Sequence, residues 1–336
     1  MTTAWEQYQE WQGPRRRSKF PERGAVDFPS TYVPEVRGDG MHQPPIFDPA
    51  LKHIPHAFRA GEPLFEDLDV GRRWRRARRM AMDHLVRIVA ESPWAENLVL
   101  RGSLLLESWI GEQARDPGDL DWVVVPASLK LERPPTVAMF RGIIATVAAV
   151  PETTGTVAGI DAPVLVDAGD IAVDDIWTYE RAPGRRLVFP WRTEGLPPGT
   201  VQLDFVFNEE MPMPPTTALI PRAGGGDPTL VQAATPELSL VWKILWLASD
   251  AYPMGKDLYD AVLLAERVTP PRELLHQVLD KELGDGYGAA FDEDKLRLLE
   301  VDWPEFQAEY PQIEGDGRTW KERLAKALRP VLGSGS

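Results

Sequence analysis

Asp119-Leu120-Asp121 opens a run that is otherwise Leu, Trp and Val. Alternate residues of a strand point to the same face, so both carboxylates would project together, a few ångströms apart. Two like charges that close are unfavourable unless a cation or a proton compensates them. Mg²⁺ suits such a pair, because it binds through one or two carboxylates and completes its shell with water and substrate phosphate. Asp204 repeats the logic as the lone acid in Val201-Gln202-Leu203-Asp204-Phe205-Val206-Phe207, where an unpaired buried charge would be costly. If the two strands are neighbours, Asp119, Asp121 and Asp204 meet at one point and could hold two Mg²⁺ ions for in-line attack on an α-phosphate. One ion would activate the attacking hydroxyl and the other would stabilise the leaving pyrophosphate.

Gly102-Ser103 follows the short apolar segment Leu98-Val99-Leu100 and precedes Leu104–Ile110. A glycine at a strand-to-helix turn lets backbone N–H groups approach phosphates, and the helix N-terminus favours the anion. Ser103 can donate a further hydrogen bond. A Gly-Ser or an Asp-x-Asp alone says little, since acids at surface turns are common. The order strand, Gly-Ser, helix, loop and Asp-x-Asp on a strand, with Asp204 downstream, is far more specific and points to nucleotidyl transfer.

A second cluster lies in the C-terminal half. Lys243 sits in Leu240-Val241-Trp242-Lys243-Ile244-Leu245-Trp246-Leu247. Either its stem covers apolar surface while the ammonium reaches water, or it pairs with a triphosphate. Lys256-Asp257-Leu258-Tyr259-Asp260 places its two acids on one helix face. Asp257 could simply complement the helix dipole, whereas Asp260 is inward-facing and could hold Lys243 or a substrate hydroxyl.

The elements that must position these groups follow from periodicity. Helical recurrence spans Gly71–Glu91, with Trp74, Met80, Met82, Leu85, Val86, Ile88 and Val89 among charges. Its six arginines between Arg72 and Arg79 make either a solvated face or a surface for RNA phosphates. A buried strand is expected over Leu120–Val125 and a helix over Thr136–Val150. Strands are expected over Ala162–Val166, Ile171–Glu180, Arg186–Pro190 and Val201–Phe207. Met211–Asp227 is rich in Pro and Gly and reads as a linker. Thr235-Pro236-Glu237 supplies an N-cap, a first-position proline and an acid for a helix running to Ser249. Further helices should begin near Lys256, Pro271 and Trp320. The expected organisation is an extended Pro-rich arm over 1–65, a catalytic domain over 66–222, a helical domain over 228–330 and a tail over 331–336. Trp5, Trp11, Phe20 and Phe47 would anchor the arm, with a disordered segment as the alternative.

Composition narrows the classes. The chain has 336 residues, no cysteine and a net charge of −14. Disulfide frameworks and thiolate metal sites are thereby excluded. His53 and His56 lie in a Pro-rich stretch without a third ligand, and a loop is the better reading. The acidic balance opposes nonspecific coating of nucleic acid, although Arg72–Arg79 and Arg185-Arg186 could supply local phosphate contacts. No signal peptide and no apolar membrane-spanning run is visible, so a cytoplasmic protein is expected.

With Gly102-Ser103, Asp119-Leu120-Asp121, Asp204, Lys243 and Lys256-Asp257-Leu258-Tyr259-Asp260 in this order, the chain resembles the AbiEii-type nucleotidyltransferase toxins. These belong to the DNA polymerase β-like nucleotidyltransferase superfamily and form the toxin half of type IV toxin–antitoxin or abortive-infection systems. The likeness covers about residues 75–270. It implies an α/β (α+β) architecture: a catalytic domain with a mixed sheet, then a C-terminal helical domain, with the nucleotide in the cleft between them. It implies that Gly102, Ser103, Lys243 and Lys256 serve the nucleotide, with Lys243 on the triphosphate. Asp119 and Asp121 would bind Mg²⁺, and Asp257 or Asp260 would be a further essential acid. The reaction implied moves NMP from an NTP to an acceptor, in some members the 3′ end of tRNA, and a cognate antitoxin is a possible partner. Two features depart from the family pattern: Arg101 stands where a second glycine is common, and the gap from Ser103 to Asp119 is long. A small-molecule or protein hydroxyl is the alternative acceptor, and a non-catalytic nucleotide-binding regulator is the alternative class. The intact trio of carboxylates argues against the latter.

Overall fold

Alternating apolar residues in the middle of the chain build one large sheet, and the longer helical periods cover its two faces. The computed structural model describes residues 40–47, 58–153, 159–160, 162–176, 183–250 and 252–332. The expected anchors Trp5, Trp11 and Phe20, the pair His53/His56 and Gly333-Ser334-Gly335-Ser336 lie outside the described residues.

Near the N-terminus, strands β1 (Met41–His42), β2 (Pro45–Phe47), β3 (Phe58–Ala60) and β4 (Leu64–Phe65) pair as nested antiparallel ladders, β1 with β4 and β2 with β3. This part of the arm is fastened to the body. Arg59 pairs with Glu309 at 3.4 Å, the Glu62 amide donates to the same carboxylate at 3.3 Å, and Arg78 reaches Glu62 at 2.7 Å. Arg78 also donates to the Gly118 carbonyl, directly before Asp119.

Helix α1 (Leu68–Ala90) starts at Asp67, whose side chain accepts from the Asp69 and Val70 amides. It is followed by β5 (Leu98–Arg101), α2 (Ser103–Ile110), β6 (Asp119–Val124) and α3 (Pro134–Ala149). Strands β7 (Leu165–Val166), β8 (Ala172–Asp175), β9 (Gly184–Arg192), β10 (Gly199–Val206), β11 (Thr216–Ile220) and β12 (Thr229–Ala233) come next. The sheet runs β11-β12-β5-β6-β10-β9-β7, with β8 also on β9. It is mixed: β6/β10 and β12/β5 are parallel and the remaining pairs antiparallel.

The stretch read as a linker holds a strand of the sheet instead. Met211–Asp227 contains β11, which pairs with β12 along its whole length at the sheet edge. Proline and glycine flank the strand rather than interrupt it, and an edge strand tolerates them.

Leu120, Trp122 and Val124 face one core with α1 and α3, while Val123 and Val99 face a second core built from the C-terminal helices. Those helices are α4 (Pro236–Ser249), α5 (Gly255–Ala265), α6 (Arg272–Leu283), α7 (Tyr287–Ala290), α8 (Glu293–Leu298), α9 (Trp303–Glu309) and α10 (Gly317–Leu332). Thr235 caps α4 as its sequence implies, accepting from the Leu238 amide at 3.2 Å. Among the described residues, no helix is long and apolar enough to cross a membrane.

Candidate active site

Asp119 and Asp121 alternate with buried Leu120 and Trp122, so the pleat sends both carboxylates to the face covered by α4 and α5. Strand β10 lies parallel beside β6, with Gln202 opposite Asp119 and Asp204 opposite Asp121. Register therefore assembles the expected trio, and each carboxylate offers an oxygen within 4.8 Å of the others. Asp204 is buried, while Asp119 and Asp121 are half-buried. Burial, with Asp119 and Asp204 beside it, pushes the Asp121 carboxyl up to about 7, against the pull of Arg101 and Lys243. The structure thus holds a carboxylate whose ionisation is opposed by its surroundings.

Gly102 is required where it stands. Its φ is +85°, and a Cβ there would come 2.2 Å from Asp121 Oδ2. Ser103 opens α2 and is buried, yet its hydroxyl has no hydrogen-bond partner among the described residues. A buried hydroxyl without a partner at a helix N-terminus beside clustered carboxylates leaves a donor for a phosphate.

Lys243 does not reach water as a surface lysine would; it is only 5% exposed. Its Nζ lies 2.7 Å from Asp257 Oδ1 and 3.0 Å from Asp260 Oδ2, and 4.9 Å from the Trp246 ring centre. Asp260 also receives Arg115, with Nε at 3.2 Å from Oδ1 and Nη2 at 3.0 Å from Oδ2. Burial alone would raise the Asp260 carboxyl, but Arg115 and Lys243 hold it below the usual carboxylate range. Burial likewise opposes the Lys243 ammonium, and Asp257 and Asp260 overcome it. Asp257 and Asp260 thus converge on Lys243, as their spacing allowed. Lys256 instead lines a separate pocket with Ile46, Tyr252, Glu305 and Glu309, in which none of the trio takes part.

Among the basic groups, Arg186 differs from its sequence reading. Arg186 is no free phosphate contact: it is buried and grips Asp204 side-on, Nε to Oδ1 at 2.8 Å and Nη2 to Oδ2 at 2.7 Å. Arg185 points the other way, to Asp175 and Glu132. On α1, Arg72 and Arg73 pair with Asp69, Arg75 with Asp116, Arg78 with Glu62, and Arg79 with Asp83 and Glu107. Ion pairing within the protein accounts for these five.

Arg101 and Arg115 are site residues that the sequence did not single out as such. Arg101 stands opposite Asp121 in the β5/β6 register, buried between the rings of Trp242 and Trp246 at 5.3 and 5.4 Å, and pairs with Glu209 at 2.6 Å. Its only signal was its place before Gly102. Arg115 had none beyond the long gap between Ser103 and Asp119, which proves to be the loop that carries it to Asp260. Tyr259 Oη secures the same loop by donating to the Gln113 carbonyl at 2.6 Å.

The residues present fit a divalent cation. Asp119 and Asp121 have no hydrogen bond or ion pair to their carboxylates among the described residues, and an all-oxygen donor set suits Mg²⁺.

The family described as "Nucleotidyl transferase AbiEii toxin, Type IV TA system" matches residues 83–329. Among solved structures, MenT4, a nucleotidyltransferase toxin from Mycobacterium tuberculosis H37Rv, is similar in fold. The TM-score is 0.50 at 15% identity, over 78% of this chain and 86% of that one. An antigenic nucleotidyltransferase-like protein from Paracoccidioides brasiliensis matches at TM-score 0.38 and 15% identity, over 74% of this chain and 96% of its own. No curated protein matches the chain.

Proposed function

The chain belongs to the AbiEii nucleotidyltransferase toxin family of type IV toxin–antitoxin systems, and on that premise we propose that it transfers NMP from an NTP to RNA, with tRNA the foremost acceptor. Asp119 and Asp121 would hold Mg²⁺ beside Asp204. When bound, the ion would activate the acceptor hydroxyl and neutralise charge on the phosphates. Gly102 leaves room for the Asp121 carboxylate against the backbone, and the Ser103 hydroxyl would donate to a phosphate. Lys243, with one N–H left after Asp257 and Asp260, faces the triphosphate; the two aspartates and Arg115 fix its place. The partner expected from the family is a cognate antitoxin.

The observation that carries this reading is the pair Asp119/Asp121, whose carboxylates have no hydrogen bond or ion pair among the described residues, with Gly102 against Asp121 and the Ser103 hydroxyl unpartnered among those residues. For an RNA acceptor, the exposed arginines Arg72 and Arg75 of α1 would be the ones open to exchange. Surface ion pairs such as Arg72–Asp69 and Arg75–Asp116 contribute little, and phosphates compete well for guanidinium groups.

The test incubates the chain with Mg²⁺, each α-³²P-labelled NTP in turn and total bacterial RNA, with Asp119→Ala/Asp121→Ala as control. Label on tRNA-sized RNA with the native chain alone is the expected result. Nucleotide binding without labelled RNA would move the acceptor to a small molecule or protein hydroxyl, which the net charge of −14 would suit if that substrate is cationic. No nucleotide binding at all would leave the chain a non-catalytic member of its family.

A further inference from the structure

The three carboxylates are not equivalent. Across the sheet, register sets Arg101, Asp121, Asp204 and Arg186 side by side on β5, β6, β10 and β9. Asp119 and Asp121 carry no partner on their oxygens among the described residues. Asp204 accepts from Arg186 Nε at 2.8 Å, from Arg186 Nη2 at 2.7 Å and from Gln202 Nε2 at 3.1 Å. A two-ion phosphoryl-transfer site clamps the attacking and leaving oxygens with a pair of cations, which Asp204 would have to help hold if two ions bound here.

We propose that Arg186 fills the place of that second metal ion, so that the site binds one divalent ion at Asp119 and Asp121 while the guanidinium supplies the positive charge at Asp204. The proposal rests on the nucleotidyl-transfer reading and revises the expectation of two ions. Four observations carry it. The contact is side-on and bidentate, the arrangement in which a guanidinium engages both oxygens of a carboxylate. Arg186 is only 6% exposed and Asp204 3%, so neither can turn to solvent without stranding the other's charge. A guanidinium does not lose its proton in a protein, so a dication at Asp204 would meet a permanent positive charge on the same carboxylate. Finally, strand alternation sends Arg185 to Asp175 and Glu132, leaving Arg186 alone of the pair on the site face. Arg186 is in this sense a positioning residue: it holds Asp204 in place and limits how many ions enter.

The measurement is a count of Mn²⁺ bound by the full chain, read from the free-ion electron paramagnetic resonance signal with and without a non-hydrolysable NTP analogue. One ion per native chain is expected in both conditions. Arg186→Gln should admit a second, and Arg186→Lys, which keeps the charge, should remain at one. The neutral pair Arg186→Gln/Asp204→Asn should bind its first ion within about threefold of native affinity. An Asp204 that ligates the ion would instead cost about tenfold or more. Two ions on the native chain, or that tenfold loss in the double variant, overturns this proposal while leaving the transferase reading intact. No ion bound by the native chain overturns both.

Discussion

Two charged regions lie close together, one on the sheet and one on the C-terminal helices, and they are balanced in opposite ways. On the sheet, the Asp119 and Asp121 carboxylates have no hydrogen bond or ion pair among the described residues, and burial with two neighbouring carboxylates pushes Asp121 up to about 7 against the pull of Arg101 and Lys243. On the helices, Asp257, Asp260, Lys243 and Arg115 satisfy one another, and Asp260 stays ionised despite deeper burial. Both regions pay desolvation, but only the helical one recovers it within the protein. A site left unbalanced gains from a cation, whereas a balanced one keeps its geometry whether or not ligand is present. On the proposed reading, the unbalanced side is the one that would receive metal, and the balanced side is the one that would hold Lys243 in place for the phosphates.

Breaking the balanced region should cost most. Lys243→Met leaves Asp257 without its ammonium and Asp260 with Arg115 alone, and should lower stability by about 3–5 kcal/mol in urea denaturation. A loss below about 1 kcal/mol would mean that the helical network is not held by its charges. Gly102→Ala comes next. A side chain at φ +85° that also strikes Asp121 should cost about 1–3 kcal/mol and weaken Mn²⁺ binding. Native metal affinity in this variant would show that Asp121 does not depend on the turn.

Asp121→Asn sharpens the comparison by changing sign. The folded carboxyl, raised to about 7 from its ordinary 3.8, binds its proton more tightly than the unfolded one. Native stability without metal therefore falls as pH rises from about 4 through about 7. Asparagine does not titrate, so in EDTA the variant should equal the native chain near pH 4 and exceed it by about 2 kcal/mol at pH 8. The bound set by the full shift is about 4 kcal/mol. Added Mg²⁺ should stabilise the native chain and not the variant. A variant less stable than native at pH 8 in EDTA would show that Asp121 is not opposed by its surroundings. The smallest effect on stability belongs to Ser103→Ala, under about 0.5 kcal/mol, because the hydroxyl has no partner among the described residues to lose. The same variant should bind NTP about tenfold more weakly, as for one hydrogen bond to a charged group. Equal affinity would remove Ser103 from the phosphate site.

Much of the site was legible because its residues break a local rule. Aspartates inside β-prone runs and a lysine inside an apolar helix stand out against their neighbours, and Thr235-Pro236-Glu237 announces α4 by capping chemistry alone. Strand β11 was hidden by its flanking prolines and glycines, since composition registers the punctuation and not the pairing. Arg115 and Arg186 were hidden for another reason. An arginine in a loop or an exposed strand reads as surface, and nothing within a few residues reveals the acid that it meets 145 positions away, as Arg115 meets Asp260.

By itself, then, the sequence determined which carboxylates, glycine, serine and lysine are available to the proposed chemistry, and which faces of strand and helix they occupy. Those are properties of residue type and short-range period. Only the tertiary structure decided the charge balance: that Asp204 is already held by Arg186, that Lys243 is shared by two aspartates, and that Asp119 and Asp121 have no partner among the described residues. Charge compensation depends on distances of a few ångströms between segments far apart in the chain, and strand register and helix packing set those distances.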